Sequence, residues 1–335
     1  MSAKEKWNVC SCIREKDFLS KEIHLCKCND NPRSGDIVLV QIKNDKNGYS
    51  QIENQKGRHI DVYEGDSWVC VLGNRNSGTN VNGKVPNEKI CQGDTLALLA
   101  QGGIVGQCLW CDEKQRNGQP LEVKVIGFIA DNKNAIINID NIKKNVCEPA
   151  ITNVKPTFVV FGTSAESGKT TLVKAIVREL KKGRNVQVGC LKVCGTGRLK
   201  DKLAYEDAGA DICMDFVDAG LVSTYGVSKE NYMQMVNVLY KSIIEKCDVV
   251  IIEVGGDLLE GGAEYFIQVA SEYKFNKILM ANDAMGAMMG IKLLGDNTTI
   301  FSWRQNIFAL RNRLSKEEIF GVTEKGISQY LAKNR

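Results

Sequence analysis

The sequence predicts an α/β chain: a doubly wound, mostly parallel sheet that carries a P-loop, preceded by a smaller β-rich domain. Three observations predict it. After residue 156, apolar strand-like runs alternate with helical patterns, the order that builds a parallel sheet covered on both faces. A glycine loop ending in Lys169-Thr170 joins the first of those runs to the first helix. Before residue 149, short apolar runs follow turn signals, and no long amphipathic helix interrupts them.

Composition sets the limits. A chain of 335 residues suggests two domains. The net charge of +4 is spread over a mixed surface and gives no case for nucleic acid, so basic pairs such as Lys143-Lys144 and Lys181-Lys182 read as solvated faces. The stretch Met1 to Trp7 lacks an apolar signal core, and no apolar run reaches the roughly 18 residues that would span a membrane. A cytoplasmic protein is expected, with its thirteen cysteines reduced. Cys10-Ser-Cys12, Cys26-Lys-Cys28 and Cys108-Leu-Trp-Cys111 are the only close pairs. One C-x-x-C with two C-x-C pairs is poor tetrahedral spacing, so buried or incidental thiols are expected rather than a metal site.

In the first half, Gly35-Asp36 precedes Ile37 to Val40, Gly65-Asp66 precedes Trp68 to Leu72, and Gly93-Asp94 precedes Leu96 to Ala100. Each reads as a turn feeding a buried strand. Glu122 to Ile129 and Ala135 to Ile139 add two further strand-like runs. Residues 1–148 are therefore expected to form a barrel or sandwich. The loops 73–78 and 101–106 read as hairpin turns that could also meet a ligand or partner. Residues 149–156, with two of the chain's five prolines, read as a linker, and 157–335 as the α/β domain.

The second half opens with Phe158 to Phe161, a β-rich apolar run. Gly162, Thr163, Ser164, Ala165, Glu166, Ser167 and Gly168 form the loop, and Lys169, Thr170 and Thr171 begin a helix whose Leu172, Val173, Ile176, Val177 and Leu180 share one face. Strand, loop and helix in this order aim backbone N–H groups and a helix N-terminus at an anion. Lys169 is expected to reach the β/γ-phosphates and Thr170 to hold Mg²⁺. The first glycine falls one position early for the usual G-x-x-x-x-G-K-[ST] spacing.

Asn185 to Val193 reads as the next strand, with Lys192 near its carboxyl end, where ligands bind in open α/β sheets. Leu203 to Ala210 is a short helix, and Asp211 to Gly220 has a strand-like centre. Leu221 to Gly226 is a loop, a candidate substrate or switch segment. Asn231 to Lys246 is helical. Asp248 to Glu253 is a continuous apolar strand ending in a carboxylate, placed where Mg²⁺ would be met. Lys277 to Ala281 is a buried strand leading to Asn282; Ala284 to Leu294 is a Met-rich core helix; Thr298 to Trp303 is the last strand. Ser315 to Ile319 and Lys325 to Leu331 read as terminal helices, with Ser315 and Glu318 in a capping-box pattern.

The loop Gly162-Thr-Ser-Ala-Glu-Ser-Gly-Lys-Thr170 resembles the G-T-[DS]-x-x-x-G-K-[ST] loop of dethiobiotin synthetase and the cobyrinic acid amide synthases. It is also similar to the loop of a P-loop family that includes D-glutamate N-acetyltransferases. The resemblance covers about the second half of the chain. It implies that Lys192 contacts phosphate and substrate, that Asp207, with Asp201 and Asp211 as rivals, helps hold Mg²⁺, that Glu253 belongs to the metal site, and that Asn282 reads the base. Val193 and Val254 depart from the proline and glycine of those families. Gly195-Thr-Gly197, Asp215-Phe-Val217 and Ala219-Gly220 look more like the acetyltransferase-containing family.

Lys169, Lys192 and Glu253 are thus the expected catalytic residues, with ATP and Mg²⁺ as cofactors. The activity implied is ATP-dependent activation of a small carboxylate or carbamate for ligation or transfer; an acetyl-CoA-dependent transfer is a further possibility. The alternative is a nucleotide-dependent switch or assembly ATPase acting on a protein partner, although motile ATPases carry an extra lysine early in the loop, where this chain has Thr163 and Ser164. A homodimer is expected in either case. His24 and His59 are the only histidines and both lie in the first half, so no Ser-His-Asp or Cys-His hydrolytic set is arguable.

Overall fold

A computed structural model describes residues 7–20, 22–44, 48–77, 79–114, 118–140, 154–183, 185–315 and 318–334. Residues 149–153 of the expected linker and the pair Lys143-Lys144 lie outside them. The chain divides into two compact units. One comprises Met1–Val146 together with Thr196–Lys200 and Phe216–Gly226; the other comprises Cys147–Gly195, Asp201–Asp215 and Val227–Arg335. A cut at a single linker therefore misassigns two short segments of the second half, which belong to the first unit.

In chain order the first unit contains β1 (Asn8–Val9), β2 (His24–Cys26), β3 (Cys28–Asn29), β4 (Ile37–Ile42), β5 (Gln51–Glu53), β6 (His59–Asp61), β7 (Ser67–Leu72), β8 (Val81–Lys84), β9 (Ile90–Cys91), β10 (Thr95–Ala100), β11 (Ile104–Cys111) and β12 (Glu122–Ala130). Strands β7, β4, β12, β10 and β11 pair in that order, and β11 returns to β7 in parallel register, Ile104 opposite Val71. The sheet closes on itself, so the first unit is a barrel. Closure removes the open edges that a five-stranded sheet would otherwise expose. Trp68, Leu98, Val123 and Phe128 are fully buried within it.

The three Gly-Asp signals become three copies of one turn. Gly35, Gly65 and Gly93 have φ of 92°, 92° and 100°, a backbone region that glycine enters without steric penalty. Asp36, Asp66 and Asp94 each accept the backbone N–H of the residue three before, Arg33, Tyr63 and Cys91, at 2.8, 2.9 and 2.8 Å. Each turn precedes a barrel strand: β4, β7 and β10. Ala135 to Ile139, expected as a strand, contributes isolated bridges only, Ile136 to Ala130 and Asn138 to Asp36.

The expectation of fully reduced cysteines is corrected at one pair. Cys28 and Cys91 stand directly opposite in the β3–β9 ladder, with Cα atoms 4.1 Å apart, and are joined as a disulfide. Facing strand positions supply the proximity that sequence spacing hides. Among the described residues no group of three or more His, Cys, Asp or Glu is placed to hold a metal.

The second unit continues with β13 (Thr157–Gly162), α1 (Lys169–Lys181), β14 (Val188–Cys194), α2 (Lys200–Asp207), β15 (Ile212–Asp215), α3 (Lys229–Ile244), β16 (Val249–Val254), α4 (Ala263–Glu272), β17 (Asn276–Met280), α5 (Ala284–Leu294), β18 (Thr299–Ser302), α6 (Ile307–Leu314), β19 (Ile319–Gly321) and α7 (Glu324–Lys333). The sheet runs β15-β14-β16-β13-β17-β18-β19, and every pairing is parallel. Strand β13 is buried along its whole length. Leu172, Val173, Ile176 and Val177 of α1 pack with Val160, Ile251, Ile278 and Tyr330 in one core. Burying each such side chain contributes about 1.5–3 kcal/mol. Helices α3, α4 and α5 form a connected layer that touches β14, β15 and β17. The expected doubly wound α/β fold is the observed one.

Two local expectations fail. Ser315 does not start a helix: it has φ of 49° and its backbone N–H closes the end of α6 on Arg311 O, while Ile319–Gly321 is the edge strand β19. Helix α5 is not uniformly core, since Met285, Met288 and Met289 are 79, 57 and 48% exposed. Among the described residues no helix is long and apolar enough to cross a membrane.

Candidate nucleotide site

The loop after β13 is shaped by contacts that only small residues allow. A Cβ on Gly162 would lie 2.3 Å from Ser167 Oγ and 2.8 Å from Lys169 Cδ. Gly168 has φ of 107°, and a Cβ there would meet the Trp303 indole at 2.6 Å. Gly168 is the N-cap of α1 and supplies no side-chain acceptor, and no acidic residue sits in the first turn. The opening N–H groups of α1 therefore keep their capacity to bind an anion. Ser164, Ala165, Glu166 and Thr171 are exposed, Thr163 and Thr170 half-buried, and Ser167 buried with its hydroxyl unpaired.

Lys169 is buried, and its ammonium donates to the carbonyls of Ser164 at 2.7 Å and Gly256 at 2.6 Å, with Ala165 O at 3.5 Å. Burial holds it below the ordinary lysine range, against the opposing pull of Glu253. An incoming phosphate would return what burial removes.

Sheet register assembles the rest. Glu253 on β16 stands beside Val160 of β13 on one side and Lys192 of β14 on the other, and Lys192 stands beside Asp215 of β15. Glu253 and Asp215 are both 2% exposed. Thr170 Oγ1 lies 3.2 Å from Glu253 Oε1 and 3.5 Å from Asp201 Oδ1. Lys192 Nζ pairs with Asp201 Oδ2 and lies 3.6 Å from Glu253 Oε1. Burial pulls the Lys192 ammonium down, and Asp201 and Glu253 more than offset it, so it stays charged above the usual lysine range. Tyr205 donates its hydroxyl to Glu253 Oε2 at 2.6 Å, and burial followed by the two carboxylates keeps that phenol protonated.

The structure thus brings Lys169, Thr170, Lys192 and Glu253 together. Asp207 does not join them: it is the exposed last residue of α2, whereas Asp201, near the start of the same helix, reaches Thr170. The helix begins earlier than its apolar pattern suggests, so the α2 carboxylate beside Thr170 is Asp201 and not Asp207. Asp211, the other rival, is paired with Lys181 at 2.9 Å instead. Tyr205 and Asp215 were not anticipated. Tyr205 lies four residues after Asp201, one helical face, and that spacing was the available signal.

Two carboxylates and a hydroxyl are hard oxygen donors suited to Mg²⁺, with the remaining ligands left to phosphate and water. The donor set fits that ion. Asn282 follows β17, next to β13 in the sheet, and its Oδ1 is buried with no hydrogen-bond partner. Val254 is buried, and a Cβ on the next residue, Gly255, would strike Cys194 O at 2.2 Å, so the tip of β16 keeps its close-approach glycine one position on.

No protein-family model matches the sequence, and no curated protein does. Among solved structures, the signal recognition particle receptor FtsY from Elizabethkingia anophelis is 18% identical, with 45% of this chain and 51% of that chain covered at a TM-score of 0.32. A ParA family ATPase from Chlorobium tepidum TLS is 8% identical, with 54% and 90% covered at 0.33. The hydrogenase maturation factor HypB from Archaeoglobus fulgidus is 14% identical, with 53% and 88% covered at 0.36. The chain spans about half the length of that FtsY. At these scores the overlaps identify no relative, and the fold assignment rests on the sheet order and register.

Proposed function

We propose that this chain binds and hydrolyses a Mg-nucleoside triphosphate and uses the cycle as a switch. The observation that carries the site is the meeting of the P-loop residues Lys169 and Thr170 with Asp201, Glu253 and Lys192 at the carboxyl edge of one parallel sheet. Loop N–H groups and Lys169 would take the phosphates. Thr170, Asp201 and Glu253 would hold Mg²⁺, which neutralises charge on the β- and γ-oxygens when bound. Lys192 lies beside both carboxylates and supplies a second fixed cation for the charge that spreads over the transferring phosphoryl group.

The switch reading is supported by chain path. The segment after β14, which carries Lys192, and the segment after β15, which carries Asp215, both enter the barrel unit. Within that unit the two segments also pair, Thr196 bridging Ser223 and Gly197 N–H donating to Val222 O at 2.8 Å. The loops at Gly73 and Gly102 serve them. A Cβ on Gly102 would lie 1.9 Å from Gly197 O, and one on Gly73 would lie 2.8 Å from Val222 Cγ2. Those loops meet the chain's own segments. A rearrangement around Lys192 or Asp215 would be passed to the barrel through a few residues of backbone.

Turnover of Mg-ATP and Mg-GTP, alone and against a pool of small carboxylates and amines, tests the reading. Slow turnover indifferent to the pool is expected. Strong stimulation by one small compound would replace the switch by ATP-dependent activation of that compound. The unpaired Asn282 Oδ1 is an acceptor suited to the amino group of adenine. Asn282→Ala is therefore expected to weaken ATP binding about tenfold, the value of one buried hydrogen bond, and to leave GTP binding nearly unchanged. Equal loss for both nucleotides, read by calorimetric titration, would remove Asn282 from base recognition.

A further inference from the structure

Glu53, the last residue of β5, is fully buried. Its carboxylate accepts the backbone N–H of Leu199 at 2.6 Å and that of Lys200 at 3.1 Å. His59 Nε2 lies 3.7 Å from the same carboxylate and 3.3 Å from Arg198 Nη2. All of these residues belong to the barrel unit.

The contact falls at a defined place in the helix that follows. Lys200 opens α2, so Leu199 stands at the cap position. Leucine has no acceptor, and the first N–H groups of a helix have no partner within it. A serine or aspartate at position 199 would take the N–H of residue 201 or 202; Glu53, from a distant strand, instead takes the two N–H groups at 199 and 200, and its charge suits the positive end of the helix. The next residue is Asp201, whose carboxylate meets Thr170 and Lys192. The helix carries Tyr205 to Glu253 as well.

We propose that Glu53 is a positioning residue for the metal-facing carboxylate: by capping α2 it fixes the direction from which Asp201 meets Thr170 and Lys192. The proposal rests on the reading of that cluster as a Mg-nucleotide site. It gives the barrel a part in nucleotide binding that needs no barrel atom to touch the nucleotide. An outer residue that orients a metal ligand typically changes metal affinity by about 10–100-fold when removed.

The test uses the full chain and the Glu53→Gln variant, which keeps the side chain's shape and one acceptor. ADP and GDP are titrated calorimetrically, in EDTA and at a series of Mg²⁺ concentrations. Affinity in EDTA is expected to stay within about twofold of the unsubstituted chain, because the phosphate loop is untouched. The tightening produced by Mg²⁺ is expected to shrink about tenfold, with the Mg²⁺ midpoint raised to match. A folded variant with unchanged Mg²⁺ coupling would overturn the role of Glu53. So would a variant whose affinity falls equally with and without Mg²⁺, the mark of a general structural loss. If Glu53→Gln does not fold, Glu53→Asp, which keeps the charge, is read by the same criteria. An unsubstituted chain that binds neither nucleotide would instead overturn the site assignment itself, a separate outcome from loss of coupling in the variant.

Discussion

Glu253→Gln is expected to lower Mg-dependent nucleotide turnover about 100-fold or more, with nucleotide affinity held within a few-fold. Glu253 is a buried carboxylate held on both oxygens. It receives Tyr205 on one oxygen, Thr170 on the other, and has Lys192 within 3.6 Å. An amide keeps the volume and can still accept from Tyr205, so the phosphate loop and its helix are not disturbed. What is lost is a full negative charge at the point where metal and attacking water would be organised. Single-turnover measurements beside equilibrium titration separate the two effects. Turnover within a few-fold of the unsubstituted chain would place Glu253 outside the reaction centre, as a buried partner of Lys192 and Tyr205 only.

Lys169→Ala is expected to weaken Mg-nucleotide binding about 100-fold, and turnover with it. Charge-assisted hydrogen bonds to the outer phosphates are worth about 1.5–3 kcal/mol each, and two orders of magnitude in affinity correspond to about 2.8 kcal/mol. The stem of Lys169 also fills space against Gly162, and its ammonium ties the loop to Gly256 after β16. The substitution therefore leaves two close-held carbonyls, Ser164 O and Gly256 O, without this donor. A melting-temperature measurement distinguishes that structural cost from lost phosphate contact. Unchanged affinity for the Mg-nucleotide in a folded variant would overturn the site assignment.

The legible parts of this chain are those whose signals are local. The P-loop could be read because apolar periodicity changes from strand to helix across one glycine loop, and the place of Glu253 near the end of a buried strand because a continuous apolar run ends in a carboxylate. The three Gly-Asp turns could be read because the left-handed glycine and the backward-reaching aspartate are neighbours in sequence. What could not be read depends on distant partners. The start of α2 was obscured because Glu53, about 150 positions away, takes its first N–H groups, and the placement of Asp201 rather than Asp207 beside Thr170 follows from that start. Barrel closure through the parallel β7–β11 pairing and the Cys28–Cys91 bridge likewise join residues that are not neighbours in sequence. Ser315 misled because a serine followed by Glu318 imitates a capping box, while the same serine, in a left-handed conformation, ends a helix. The exposed methionines of α5 misled because methionine spacing reports a helix and not which side of it is covered.

The composition of the barrel unit bears on how the chain comes off the ribosome. Its own strands are complete at Ala130, yet Thr196–Lys200 and Phe216–Gly226 belong to it as well. During N-to-C synthesis those pieces arrive only after the first two strands and the first helix of the other unit. Glu53 must wait for Leu199 and Lys200 before its buried carboxylate is satisfied. The barrel therefore cannot finish folding as an independent first domain. Its completion is tied to the start of the second, and contacts at such long sequence separation form late and slowly.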